Sequence, residues 1–152
     1  MLRPLLCAFA LSGFLIAQSG VSLAKAEFDH QHQAVIKTAE DYFNGAANGD
    51  QALLSEAFDM EFGHIKMIRK DEQSDKESIR TLTLKEFAGV FKQATKDTWH
   101  AKVLSVDIVD ETMAMVKLDF DTPKTHYIDY LVMYKRNNQW RIINKTFVAN
   151  RK

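Results

Sequence analysis

An acidic side chain and an imidazole stand among apolar residues in the C-terminal half of this sequence. Asp129 alternates with Leu131 and Met133, and His100 opens another alternating segment. Since a carboxylic acid beside an imidazole in an apolar pocket can act as a general acid and base, Asp129 and His100 are the candidate catalytic residues if the protein is an enzyme.

The same carboxylate has a structural interpretation. Asp129 could be buried and hydrogen-bonded to Tyr42 or Asn144, because buried polar groups are nearly always paired. Perturbed carboxylates occur in such structural networks as well as in active sites. The sequence leaves both interpretations open.

Strand alternation predicts which side chains face an interior pocket. Successive side chains of a strand point to opposite faces, so Asp129 faces the same way as Leu131, and Asn144 the same way as Trp140. The apolar stripe of the first predicted helix adds an aromatic residue to this set. The predicted ligand pocket consists of Tyr42, His64, His100, Asp129, Leu131, Met133, Trp140 and Asn144.

The histidines do not predict a metal site. His30 and His32 form a pair without a third ligand nearby. His64, His100 and His126 lie on different predicted strands, but alternation does not bring His100 and His126 to a common face. Gly-rich phosphate loops and nucleophile elbows are absent from the sequence, so no cofactor is expected.

The first 26 residues have the pattern of a secretory signal peptide. Arg3 supplies positive charge, and Leu5–Ala17 is an apolar run too short to be a good membrane span. Small residues at Ala24 and Ala26 suit a signal peptidase. We therefore expect residues 27–152 to form a mature domain that is periplasmic or secreted.

Charge and cysteine content exclude several classes of protein. The whole chain has 20 basic and 20 acidic residues, which gives no electrostatic reason to expect nucleic acid or a membrane surface as partner. Its single cysteine, Cys7, lies in the predicted signal, so the mature domain is not a disulfide scaffold.

After the predicted signal peptide, the apolar residues are spaced as on one face of a helix. It predicts a helix over 33–47 that ends at Gly49, and a second helix that Asp50 caps and that runs to about Phe58. A strand is predicted over 61–68, followed by a charged segment over 69–78 that is either a solvated loop or the mobile tip of a hairpin. A capping box begins a third helix, which is expected to run to about Thr95.

From Trp99 onward the apolar residues alternate with period two. The pattern predicts four antiparallel strands in a meander, and the Asn-rich turn at 136–139 suits a hairpin that needs positive φ angles. Helices followed by a meander are typical of an α+β fold in which helices cover one face of an antiparallel sheet.

Several short sequence motifs occur in the same order as in the members of a known superfamily, which this chain resembles. They are Asp41-Tyr42-Phe43-Asn44-Gly45, Gly49-Asp50, Ala57-Phe58, Leu104-Ser105-Val106-Asp107, Asp129-Tyr130-Leu131 and Trp140-Arg141-Ile142-Ile143-Asn144-Lys145. The series resembles the nuclear transport factor 2-like (polyketide-cyclase-like) superfamily, and within it the group named putative lumazine-binding proteins. The resemblance implies a cone-shaped fold in which a strongly curved antiparallel sheet packs against three N-terminal helices.

The resemblance implies several functions, because this scaffold hosts isomerases, dehydratases, cyclases and non-catalytic binders. The leading interpretation is an exported domain that binds a small apolar or aromatic molecule in the cone without transforming it. One alternative is a lyase or isomerase that uses Asp129 and His100. Another is a structural or partner-binding module whose cone is plugged by its own side chains.

A homodimer is also expected, since many members of the superfamily dimerise through their sheets. Alternation predicts an outward apolar face formed by Tyr130, Val132, Tyr134, Ile143 and Phe147. An exposed patch of this kind normally marks an interface, and two-fold pairing of identical surfaces is the commonest solution.

Overall fold

The computed structural model describes residues 17–71, 73–74 and 76–152. The chain divides into two units, Met1–His30 and Gln31–Lys152. The described part of the first unit, residues 17–30, is helical. Most of the apolar run predicted as part of a signal peptide lies outside the described residues. Within the described part of the chain, no helix is long and apolar enough to span a membrane.

The chain contains three helices and six strands in its described residues. The helices are α1 (Ala17–Asn48), α2 (Gln51–Ala57) and α3 (Leu84–Ala88). The strands are β1 (His64–Lys70), β2 (Glu77–Thr83), β3 (His100–Val109), β4 (Met113–Asp121), β5 (Thr125–Arg136) and β6 (Gln139–Arg151). The predicted α+β class is confirmed. The third helix follows a strand, as the predicted order of elements had it, so the three helices are not all N-terminal to the sheet.

All six strands form one open sheet in the order β2-β1-β6-β5-β4-β3. Neighbouring strands are antiparallel except β1 and β6, which are parallel. The sheet was predicted to be antiparallel, and the parallel pairing of β1 with β6 corrects that prediction. Of the two interpretations of residues 69–78, the hairpin agrees with the structure and the loop does not, because Arg69 pairs with Ser78 and Lys70 with Glu77. Since β2 is mostly exposed, its sequence carries little apolar alternation.

The helices pack on one face of the sheet in a single apolar core. The buried stripe of α1 consists of Val35, Ala39, Tyr42 and Ala46, at the spacing of one helix face. Alternate residues of β4 and β5 face this stripe. They are Ala114, Val116, Leu118, Phe120, Asp129, Leu131 and Met133.

The starts of α2 and α3 follow the predicted capping residues, whereas α1, predicted over 33–47, already includes the residues from Ala17 onward. Asp50 accepts hydrogen bonds from the backbone N–H groups of Ala52 and Leu53 at 2.9 and 3.1 Å and so begins α2. Thr83 and Glu86 form the predicted capping box of α3. That helix ends at Ala88, earlier than predicted, with Gly89 as its C-cap.

Gly49, between α1 and α2, has a backbone conformation that residues with a side chain rarely adopt. Its φ is +66°, and a Cβ there would meet the backbone of Gln93 at 2.5 Å. We expect Gly49→Ala to lower the free energy of unfolding by at least about 1–2 kcal/mol, measured by urea denaturation. Gly89→Ala is the control, because φ is −63° there. Equal stability of the two variants would contradict this prediction.

Two hairpin turns use non-glycine residues with positive φ. The predicted Asn-rich turn is confirmed, since Asn137 and Asn138 have φ of 52° and 62°. Asp110 and Glu111, between β3 and β4, have φ of 50° and 56°. Turns with positive φ at both central residues match the twist of the flanking strands, which accounts for the tight β3–β4 and β5–β6 connections.

Candidate functional site

A β-bulge in β6 decides which side chains of this strand face the helices. Val132 of β5 is opposite Asn144, whereas Met133 is opposite Ile142. Ile143 therefore has no partner on β5 and is an extra residue in the ladder.

The bulge reverses the alternation of β6. Trp140 and Ile142 are buried before it, and Lys145 is buried after it with Phe147 on the same side. Asn144 was predicted to face inward and Phe147 outward. Both predictions were wrong: after the bulge, Phe147 faces the helices with Lys145, and Asn144 faces the other side of the sheet.

Lys145, Asp129 and Tyr42 form a buried polar cluster beneath the helices. The Nζ of Lys145 lies 2.5 Å from Oδ1 of Asp129, and Tyr42 Oη donates a hydrogen bond of 3.1 Å to Oδ2. The three residues are 3, 0 and 1% exposed, respectively. The contact at Oδ1 is an ion pair without regular hydrogen-bond geometry, so charge attraction dominates it.

Aromatic rings surround the ammonium group of Lys145. Its Nζ lies 4.5 Å from the ring centroid of Phe147, 5.6 Å from that of Tyr42 and 5.9 Å from that of Phe87. The negative faces of such rings attract a cation, most strongly where water is excluded. The rings and Asp129 thus stabilise one positive charge inside the domain.

Burial changes the proton affinities of two members of the cluster. Desolvation lowers the pKa of Lys145, and the opposing attraction of Asp129 does not fully offset it. Desolvation, followed by the negative charge of Asp129, raises the pKa of Tyr42 well above its usual value. Tyr42 therefore remains a neutral hydrogen-bond donor over the physiological range.

The raised pKa of Tyr42 makes stability fall at alkaline pH. Above pH 10.0, the ordinary value for tyrosine, the unfolded chain loses a proton that the folded state retains. In Tyr42→Phe, we expect the free energy of unfolding to fall less steeply with pH, by up to about 1.4 kcal/mol per pH unit. Urea midpoints between about pH 10.5 and 11.5 measure it.

The same substitution has a separate effect at neutral pH. Tyr42→Phe removes the hydrogen bond to Asp129, which is expected to cost about 1.5–3 kcal/mol. Tyr134→Phe, at an exposed position, is the control for both measurements. Parallel alkaline slopes in the wild type and Tyr42→Phe would contradict the assignment.

A cavity of about 400 Å³ lies beside the cluster. Seven aromatic side chains line it together with Lys145: Tyr42, Phe87, Phe91, Trp99, Phe120, Tyr127 and Phe147. Asp97, Pro123 and Lys124 also line the cavity and are exposed, so they lie toward its solvent side. We call this space the aromatic cavity.

Few of the residues predicted for the pocket line this cavity. Tyr42 does, and Asp129 lies directly behind it in the cluster. Leu131, Met133 and Trp140 are buried in the core, where they help to hold the sheet against the helices without lining the cavity.

His64 and His100 lie away from the aromatic cavity. His64 is exposed, and its Nδ1 is 2.8 Å from the carbonyl oxygen of Phe62. His100 is exposed and paired with Asp121, on the side of the sheet opposite Asp129. The structure therefore does not bring Asp129 and His100 together as a catalytic pair.

A bulge in β3 also explains the position of His100. Val103 pairs with β4 in one register and Ser105 in the next, which leaves Leu104 as the extra residue. The alternation predicted from His100 onward is therefore broken at Leu104.

The described residues contain no group of three or more His, Cys, Asp or Glu side chains that could hold a metal ion. His126, a member of the three-histidine set considered above, instead contacts Oδ1 of Asp119 through Nε2 at 2.9 Å.

Sequence reasoning did not identify Lys145 or most of the aromatic lining. One signal was available: Ile142 and Ile143 are consecutive apolar residues after the alternating start of the strand, and such a break in alternation can indicate a bulge. The remaining lining residues come from α3, the segment before β3, and the strands β4 and β5 with the connection between them. Their convergence depends on tertiary packing.

The fold is that of the nuclear transport factor 2-like superfamily. An NTF2-like protein of unknown function from Silicibacter pomeroyi superimposes with a TM-score of 0.66 at 19% identity, covering 81% of this chain and 98% of that one. One from Shewanella baltica gives 0.66 at 16%, covering 81% and 96%. A ketosteroid isomerase-like protein from Erwinia carotovora gives 0.55 at 11%, covering 77% and 94%. These likenesses concern the fold alone.

Within this superfamily, the chain belongs to the family described as "Putative lumazine-binding", which matches residues 30–148. The family predicted from the short sequence motifs is thereby confirmed. No curated protein is significantly similar to the chain.

Proposed function

We propose that this chain is an exported domain that binds a small aromatic molecule in the aromatic cavity. The observation that carries the proposal is a cavity of about 400 Å³ lined by seven aromatic side chains and the buried Lys145. Ligand pockets are typically 300–1,000 Å³ in volume and combine apolar walls with a few polar groups. Rings of Phe and Tyr favour flat partners, which they contact by stacking or edge to face.

The family supports the same class of ligand without identifying it. Its name refers to lumazine, which is a planar heteroaromatic molecule. The aromatic cavity fits this broad class, whereas its polar groups do not select one member. The proposed ligand is therefore a small aromatic molecule rather than lumazine in particular.

The two tryptophans of the chain allow a sharp test of binding. Trp99 lines the aromatic cavity and Trp140 does not. In Trp140→Phe, fluorescence from the remaining Trp99 is expected to change when a ligand from an aromatic and pterin-like panel binds. In Trp99→Phe, the remaining Trp140 should respond little. No binding across the panel, or equal responses from both variants, would contradict the proposal.

The two alternatives are less well supported by the geometry. A lyase or isomerase would have to use Asp129 with Tyr42 or Lys145, because His100 lies on the other side of the sheet. A plugged interior accords poorly with the aromatic cavity.

Export is a further part of the proposal and is supported by the N-terminal sequence. Mass spectrometry of the protein from the producing cell is expected to find Glu27 as its first residue. Intact Met1 in the cytosol would contradict export.

We also propose a homodimer through the sheet face away from the helices. Met115, Tyr130 and Tyr134 are exposed there, and Val132 lies between the two tyrosines on β5. Exposed apolar patches commonly mark interfaces. Sedimentation at micromolar concentration is expected to find a dimer, and Val132→Glu a monomer. A monomeric wild-type protein would exclude this assembly.

A further inference from the structure

We propose that Lys145 binds aromatic aldehydes covalently and reversibly, as a protonated imine within the aromatic cavity. The inference rests on the binding function proposed above and adds the chemical class of the ligand. An aldehyde is required because its carbonyl carbon accepts an amine, and an aromatic one because the surrounding walls are rings.

The position of Lys145 distinguishes it from the other lysines. It is the one lysine that is buried among the described residues, and it lines the aromatic cavity. The three rings nearest its Nζ, those of Phe147, Tyr42 and Phe87, line the cavity as well. A flat ligand packed against these rings would therefore lie close to the nitrogen.

Attack on a carbonyl requires a neutral amine, and the cluster contains a group that can take the proton. Asp129 Oδ1 lies 2.5 Å from Nζ, so one proton can pass between them once a small rotation brings an N–H group into line with this oxygen. In a medium with little water, conversion of the ion pair into a neutral pair also removes two buried charges. Desolvation lowers the pKa of Lys145 in the same direction.

The reaction balances within the cluster and the ligand. The Lys145 nitrogen forms a bond to the carbonyl carbon, and the π electron pair moves to oxygen, which is protonated from Asp129. Asp129 accepts a second proton from nitrogen and passes it to the hydroxyl group. The C–O bond breaks with release of water, and the nitrogen lone pair completes the C=N bond. Nothing is oxidised or reduced.

The product keeps the charge of the starting site. Two of the three ammonium protons leave in the water, and the third remains on a positively charged iminium nitrogen. The ion pair with Asp129 and the ring contacts that stabilise Lys145 as an ammonium group would stabilise the iminium as well. The site thus accommodates the adduct without gaining or losing a buried charge.

Reductive trapping tests this inference. The wild-type protein is incubated with 2-naphthaldehyde and sodium cyanoborohydride, which reduces an iminium to a stable secondary amine. Intact mass is expected to show one naphthylmethyl group per chain, and peptide mapping should locate it on Lys145. Labelling spread over surface lysines, or none on Lys145, would overturn the inference without depending on any variant.

Two matched substitutions support the mapping. Lys145→Arg keeps a cation beside Asp129 but cannot form the imine, so the dominant label should be lost. Lys117→Arg is the control, because Lys117 Nζ lies 5.8 Å from the ring centroid of Tyr130 on the other side of the sheet. It should leave the labelling unchanged. Equal labelling of Lys145→Arg and wild type would also overturn the inference.

A non-reacting analogue separates this inference from the binding function. 2-Naphthalenemethanol has nearly the same shape as the aldehyde but no carbonyl group, and its binding is followed by Trp99 fluorescence in Trp140→Phe. If the alcohol binds and no adduct forms on Lys145, the imine is excluded and the aromatic binding site stands. If neither compound binds, both proposals fail.

Discussion

Lys145→Met is expected to lower the free energy of unfolding by about 3–5 kcal/mol, the usual cost of removing one partner of a buried ion pair. The substitution leaves the carboxylate of Asp129 fully buried with Tyr42 as its remaining hydrogen-bond donor. A single neutral donor cannot replace the attraction of a cation 2.5 Å away. Urea unfolding followed by circular dichroism measures the loss.

Two further variants identify the cause of this loss. Lys117→Met removes a lysine from the same sheet on its other side, and its effect should stay below about 1 kcal/mol. Asp129→Asn combined with Lys145→Met removes both charges and keeps an acceptor for Tyr42, so it should recover most of the stability. A loss below about 1 kcal/mol in Lys145→Met alone would show that the ion pair is not important for folding.

Phe120→Ala is expected to destabilise the domain by about 3–5 kcal/mol, the usual range for truncating a buried phenylalanine. Phe120 is 5% exposed, and its ring centroid lies 5.2–6.1 Å from those of Phe43, Trp99, Tyr127 and Tyr42. Truncation removes these contacts and enlarges the aromatic cavity. Chemical denaturation of the purified variant measures the change.

Phe62→Ala is the matched control for this substitution. Phe62 is 60% exposed, so the same truncation there removes little buried surface. Its effect should remain below about 1 kcal/mol. Similar losses at Phe62 and Phe120 would show that the aromatic cluster contributes no special stability.

The fold could be predicted largely because its signals are local. Gly49 ends α1 and Asp50 begins α2 through groups within a few residues of each other. The turn at Asn137–Asn138 likewise needs only two residues that tolerate positive φ. The strand β2 was missed because its exposed residues carry no alternation that burial would impose.

The candidate site could be predicted only in part. The partnership of Tyr42 with Asp129 was one of the alternatives read from the sequence, and the structure contains that hydrogen bond. The role of Lys145 was missed because strict alternation was carried through the bulge at Ile143. A one-residue shift exchanges the faces of everything that follows, so a strand rule that holds locally fails a few residues later.

The parallel pairing of β1 with β6 has a consequence for the order of folding. Strands β3 to β6 pair with their neighbours in sequence, whereas β1 must find a partner about 80 residues away along the chain. Closing so long a segment costs more chain entropy than closing a hairpin. We therefore expect the β1–β2 hairpin to dock late and to open first in the native state. Ile65 of β1 pairs directly with Lys145 of β6. Amide hydrogen exchange of β1 would thus report how often water reaches the buried charge.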